Sequence, residues 1–171
     1  MSTADATADI LERHIPALRR YAFALTRDHD TADDLVQDCL ERALTRWRLR
    51  QQEAEVLPWL FAILRNLYID LYRRRQRRGV HTTIDEAIGI GHSVDQDSAL
   101  DARDALAALD QLPEEQKSLL LLIGVEDLSY QDVARVLGVP IGTVMSRLSR
   151  ARQRLRVILE TGRHAVLRRV K

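Results

Sequence analysis

Residues Ser129 to Arg156 read SYQDVARVLGVPIGTVMSRLSRARQRLR. Ser129-Tyr130-Gln131-Asp132 has the form of a capping box, and the helix that it opens puts Tyr130, Val133, Ala134 and Leu137 on one apolar side. Gly138 supplies the left-handed residue that ends such a helix, and Pro140 brings the preset φ that starts another. In the second helix Ile141, Val144, Met145, Leu148 and Leu155 make the expected buried edge. The other edge carries Thr143, Ser146, Arg147, Ser149, Arg150, Arg152 and Arg154. Two short helices across a three-residue turn, the second one basic, form a helix-turn-helix. Arginine can bond bidentately to guanine O6 and N7, while serine and threonine reach phosphates or base edges without forcing the helix away. Gly142 allows close approach at the helix N-terminus, where free amides suit a phosphate oxygen. A basic helical face by itself is usually only solvated. The capped helix, the Gly-Val-Pro turn and the basic second helix together favour DNA contact, with Arg152, Arg154 and Arg156 better placed to hold backbone than to read bases.

Outward from this motif the pattern stays helical. Segments at about 98–112 and 113–125 precede the helix-turn-helix, and its second helix should run from 141 to about 161. Upstream, Leu57, Leu60, Phe61, Leu64, Leu67, Tyr68 and Leu71 repeat at helical spacing behind Pro58, a first-turn proline, and Gly79 ends that run. Before it, Asp30-Thr31 offers an N-cap to a helix with Ala32, Leu35, Val36, Cys39, Leu40, Ala43 and Trp47 on its apolar side. The opposite side of that helix is acidic, with Asp33, Asp34, Asp38 and Glu41. The first segment, Ala6 to Arg27, reads as one helix bent near Pro16. No β-type alternation extends beyond a few residues, so the expected fold is all-α: two small helical domains at 6–78 and 98–160, joined by a flexible linker at 79–97. Nineteen linker residues span at most about 60 Å, the rise of about 18 base pairs, so two modules could grip separated DNA sites.

Composition narrows the function classes. The 171 residues carry 26 Lys+Arg against 25 Asp+Glu, so distribution rather than total charge is informative. Five arginines fill six positions from Arg73 to Arg78, and nine basic residues face the single acid Glu160 between Gly138 and Lys171. One cysteine, Cys39, excludes an internal disulfide and a cysteine-based zinc site and agrees with a cytoplasmic location; its apolar helical position reads as an inert core thiol. No apolar run approaches the roughly 20 residues of a membrane span, and the N-terminus lacks a signal-peptide pattern, so no membrane insertion is expected. Asp28, Asp30 and Asp33 begin like a calcium loop, but Asp33 stands where glycine is needed and Cys39 where glutamate is needed. The five histidines are scattered, and phosphate-loop, dinucleotide-fold and serine-nucleophile signatures are absent from the sequence. No cofactor, metal or catalytic residue is therefore expected, and the chain does not read as an enzyme.

The segment LPEEQKSLLLLIGVEDLSYQDVARVLGVPIGTVMSRLSRARQRLR resembles region 4 of bacterial RNA polymerase sigma factors of the extracytoplasmic-function (ECF) type, which binds the minus-thirty-five promoter element. ADDLVQDCLERALTRW resembles the part of region 2 that docks on the polymerase β′ clamp helices, and PWLFAILRNLYIDLYRRRQRR the part that opens and reads the minus-ten element. The resemblance spans Ala6 to Leu159 and implies a transcription initiation factor that directs core RNA polymerase, through its β and β′ subunits, to promoter DNA. It also implies control by an anti-sigma factor. Asp34, Gln37 and Asp38 match the core-docking face, and Arg65, Asn66, Asp70, Arg73 and Arg74 match positions facing the minus-ten strand. Gly142, Thr143, Ser146, Arg147, Ser149, Arg150, Arg152 and Arg154 fall on the helix that meets the minus-thirty-five element. Trp59, Phe61, Tyr68 and Tyr72 could stack on unpaired bases but lie mostly within the apolar period, which favours core packing. Two other readings compete: a sigma-like decoy that binds an anti-sigma factor without DNA, and a dimeric helix-turn-helix repressor. A decoy has no use for DNA-facing arginines, and a repressor has none for the acidic Asp34 helix.

Overall fold

Eight helices account for the residues described in this computed structural model, which are 3–47, 56–79 and 96–169. They are α1 (Thr3–Glu12), α2 (Ile15–Thr26), α3 (His29–Arg46), α4 (Val56–Arg77), α5 (Gln96–Asp110), α6 (Glu114–Gly124), α7 (Tyr130–Leu137) and α8 (Ile141–Arg169). Among the described residues there is no strand, in agreement with the all-α expectation. Most of the expected linker at 79–97 lies outside the described residues.

The first segment is two helices rather than one bent helix. Pro16 sits in the first turn of α2, where its missing N–H is tolerated; continued from α1, its ring would press on the carbonyl four residues back. The N-cap of α3 is Asp28, not Asp30-Thr31. Arg27 ends α2 in the left-handed region at φ 59° and returns its N–H to the Phe23 carbonyl at 2.8 Å, leaving Asp28 extended. The Asp28 carboxylate then accepts from the Thr31 N–H at 2.9 Å and from the Thr31 hydroxyl. Those two hydrogen bonds hold the Asp28 carboxyl below its usual pKa, the hydroxyl contributing most.

α2, α3 and α4 pack on one another, as do α5 to α8. Leu18, Tyr21, Ala22, Leu60, Phe61 and Leu64 are essentially closed to solvent, with the Tyr21 and Phe61 rings edge-on at 5.1 Å. Each such Leu or Phe contributes about 1.5–3 kcal/mol by burial. Cys39 is a fully buried core thiol whose pKa burial pushes up to about 12. Phe61 and Tyr68 are buried, and Trp59 leans on Trp47 with ring centroids 6.3 Å apart, so the α4 aromatics serve mainly as core.

The two helical groups also pack against each other. α7 lies on α4 and α6 lies on α2, and one continuous apolar cluster runs from Leu11 to Leu148 through both. This contact has no counterpart in the periodicity of the chain.

Candidate nucleic-acid and polymerase interfaces

The helix-turn-helix forms as its residues dictate. The Ser129 Oγ accepts from the Asp132 N–H at 3.1 Å and donates to the Asp132 carboxylate at 2.7 Å, closing the start of α7. Gly138 adopts φ 64° and ψ 37°, and Pro140 lends its carbonyl to the N–H groups of Thr143 and Val144, the first turn of α8. The buried edges differ from the expected ones. In α7, Val133 and Val136 are buried, while Tyr130, Ala134 and Leu137 are only partly covered. In α8, Val144, Leu148 and Ala151 form the seam, whereas Ile141 and Met145 are about half exposed. A seam at 144, 148 and 151 follows the helical repeat, and Met145 sits about 100° round the axis from it.

That register divides the predicted minus-thirty-five residues. Thr143, Ser146, Arg147, Arg150 and Arg154 recur at spacings of three and four along one accessible arc. Ser149 and Arg152 instead line a groove of about 500 Å³ with Met145, Gln153, Arg156 and Tyr130 of α7. Gly142 is exposed in the first turn of α8 with open space where a Cβ would stand. α8 itself continues to Arg169, beyond the expected end near 161.

On the other helical group, Asp34, Gln37 and Asp38 are all exposed on the outer face of α3. Gln37 donates to Glu41 at 3.1 Å, one turn on. Asp34 and Asp38 share a groove of about 290 Å³ with Asp70, Arg74, Arg75, Arg42 and Thr31, so part of the expected docking face and part of the expected minus-ten face meet between α3 and α4. The Arg75 guanidinium donates to the Thr31 hydroxyl at 3.2 Å, bracing α4 against α3. Asn66, Asp70, Arg73 and Arg74 are exposed, and Arg74, Arg75 and Arg77 also complement the carbonyl end of α4.

Arg65 stands apart from that set. It is half-buried, and its Nε donates to the Ser118 Oγ of α6 at 3.0 Å. The same hydroxyl meets the buried Tyr21 hydroxyl at 2.7 Å. Around this point lies a polar seam that sequence reasoning missed. Tyr68 donates to the Glu114 carboxylate, Lys117 Nζ donates to the Leu25 carbonyl at 2.9 Å and to Asp110 at 2.7 Å, and Arg27 faces Asp110 at 3.4 Å. Arg20 grips the Glu126 carboxylate with two bonds of 2.9 and 2.6 Å. Burial raises the Tyr21 and Tyr68 pKa values, so both phenols are neutral donors or acceptors here. A signal was present in the sequence: Lys117 and Ser118 interrupt the apolar side of α6 just before Leu119 to Leu122. Polar groups on a buried face require partners, and these find theirs on α2 and α4.

Residues 102–155 match the family model described as Sigma-70, region 4, and residues 11–65 match that of the Sigma2 domain of PhyR. The ECF RNA polymerase sigma factor EcfG of Rhodopseudomonas palustris is 37% identical over 159 residues, which cover 93% of this chain and 88% of that one. SigE of Mycolicibacterium smegmatis is 33% identical over 154 residues; they cover 86% of this chain but only 59% of that longer relative. Among solved structures, the sigma factor RpoE in complex with the anti-sigma factor NepR from Bartonella quintana superposes with a TM-score of 0.73 at 36% identity, covering 88% of this chain and 94% of that one. The fold is shared further with CnrH, solved with the cytosolic domain of CnrY, at a TM-score of 0.71 and 23% identity, covering 94% of this chain and 91% of that one. The capped α7, the left-handed Gly138 and the arginine arc of α8 thus stand within a chain-long match, and the protein belongs to the ECF family of RNA polymerase sigma factors.

Proposed function

We propose that this sigma factor reads promoters through two helices that its own residues prepare for the task. Thr143, Ser146, Arg147, Arg150 and Arg154 of α8 face the minus-thirty-five element, with Gly142 and the first turn of α8 receiving a phosphate. Ser149 and Arg152, on the adjoining groove, hold backbone at the edge of the same interface. Asn66, Asp70, Arg73 and Arg74 of α4, joined by Arg65 when it is free, engage the minus-ten strand. There, amide and guanidinium groups hydrogen-bond extruded bases and track phosphate. Asp34, Gln37 and Asp38 of α3 dock on core polymerase. Residues 6–78 and 98–160 are the two functional units and 79–97 their connector. The chain makes and breaks no covalent bond; the polymerase supplies the chemistry and this subunit supplies the choice of start site. It works in the cytoplasm, where the polymerase and the template are. An anti-sigma factor is its natural antagonist, as NepR is for the similar Bartonella sigma factor.

The observation that supports this most directly is the α8 arc, where exposed Ser146, Arg150 and Arg154 and half-buried Thr143 and Arg147 repeat on one side while Val144, Leu148 and Ala151 bury the other. Runoff transcription with core polymerase and a genomic promoter pool tests it. Start sites should appear that share two elements at fixed spacing and that vanish without this chain. Core association with no change in start sites would refute promoter choice.

A further inference from the structure

We propose that the α8 groove containing Arg152 and Arg156 receives the acidic stripe of α3 from a second copy of this chain. Both surfaces stand open on one copy, and they agree in charge, spacing and length.

The groove is not the arc assigned to reading bases. Met145, Ser149, Arg152 and Arg156 follow one another along it at steps of four, three and four, roughly 140° round the helix axis from the centre of that arc. On α3, Asp34, Asp38, Glu41 and Thr45 follow at the same steps, with Gln37 and Leu44 beside them, and all six are exposed. Alternation of three and four is the seam spacing of two packed helices. Each seam is about 16 Å long, eleven steps of about 1.5 Å. Laid antiparallel, they set Asp34 against Arg156, Asp38 against Arg152, Glu41 against Ser149, and Thr45 with Leu44 against Met145.

Charge and apolar contact support that register independently. No acid lines the groove, and no base stands in the stripe. Among the described residues, Arg152, Arg156, Asp34 and Asp38 form no ion pair. Arg42, Arg74 and Arg75 border the stripe only on its α4 side, so its outer side keeps a negative field. Leu44 and Met145 are 53% and 54% exposed, among the few large apolar side chains left open, and the antiparallel register buries one against the other. A second copy carries the complementary residues already in this order and is present wherever the chain is. The stripe is also the surface assigned above to core polymerase, so a paired chain is withheld from core; that consequence rests on the assignment, and the pairing itself does not.

Sedimentation velocity of the purified full chain tests the pairing. At low ionic strength the wild type should pass from one copy to two or more as its concentration rises. Salt at about 1 M should reverse this, because the Debye length then falls to about 3 Å. Asp34→Arg and Arg156→Asp each oppose like charges at the contact and should weaken self-association roughly tenfold. Mixed in equal amounts, the two variants should associate as wild type does, since each groove then finds a complementary stripe on the other variant. If either loses helicity by circular dichroism, Asp38→Arg with Arg152→Asp makes the same test one turn along. A wild-type chain that stays monomeric, single variants that associate undiminished, or a mixture that stays monomeric would each overturn the pairing. A groove that takes DNA phosphate or a different acidic protein instead gives the first of these results. Wild-type pairs that persist while bound to core polymerase would overturn the assignment of Asp34 and Asp38 to docking, and not the pairing.

Discussion

Two glycines four residues apart should respond to alanine with opposite signs. Gly138 ends α7 at φ 64°, and a Cβ built there meets nothing within 4 Å. Alanine at this position therefore clashes with no neighbour, and the whole cost is that of holding an L-residue in the left-handed region, about 1 kcal/mol. Gly142 lies in the first turn of α8, has no positive φ, and is equally open. Alanine there gains helix propensity and reduces the entropy of the unfolded chain, a stabilisation of about 0.5–1 kcal/mol. At about 2–4 °C per kcal/mol for a chain of this size, Gly138→Ala should melt about 2–4 °C below wild type and Gly142→Ala about 1–4 °C above it. Thermal unfolding followed by circular dichroism measures both. Gly138→Asn should recover much of the loss, because asparagine tolerates the left-handed conformation. In promoter binding the order should reverse, since a methyl group at Gly142 intrudes where the helix start meets a phosphate. Two melting shifts of the same sign would refute the conformational reasoning, and unimpaired DNA binding by Gly142→Ala would refute the close approach.

Other outcomes are expected from particular side chains. Arg147→Ala should cost roughly 1–3 kcal/mol of promoter affinity and relax preference at one minus-thirty-five base pair, measured by competition between promoter variants; uniform weakening would make it a phosphate contact. Asp38→Arg, on an exposed face, should impair binding to core polymerase while leaving the melting temperature nearly unchanged, and unaltered core affinity would remove it from the docking surface. The Asp28 carboxyl titrates below its ordinary value of 3.8 when folded, so its contribution is complete above that value and is lost as pH falls through the lower folded pKa. Asp28→Asn keeps a cap but no charge, and its denaturant midpoint should fall less steeply than that of wild type on acidification; parallel curves would count against the cap. Cys39 should react with a thiol reagent only as fast as the chain unfolds, and rapid labelling of the native protein would contradict its burial.

Local rules carried the sequence reading far. Ser129, Gly138 and Pro140 set the limits of α7 and α8 through cap, left-handed φ and fixed φ, interactions that span no more than a few residues. The apolar repeats of α3 and α4 were equally legible, because a face that recurs every three or four residues must be buried somewhere. Where two local signals competed, the outcome depended on neighbours. Pro16 could bend or break a helix, and it breaks one; Asp28 took the capping role from Asp30-Thr31 because Arg27 had already turned the chain. Met145 and Ile141 are apolar enough for the α8 seam, but Ala151 allows the tighter 144, 148 and 151 register, and that choice put Ser149 and Arg152 on a different groove from Arg147.

Periodicity in this chain determined that it would be helical, that each helix would carry an apolar side, and that an arginine arc would follow a capped turn. It did not determine where one helical group would sit on the other. Lys117, Ser118 and Glu114 announce only that a polar spot lies on a buried side; that Tyr21, Arg65 and Tyr68 answer them is a matter of residues 46 to 97 positions distant. Such pairings follow from the shape of two assembled surfaces, and no short stretch of sequence encodes a shape that exists only after both have folded.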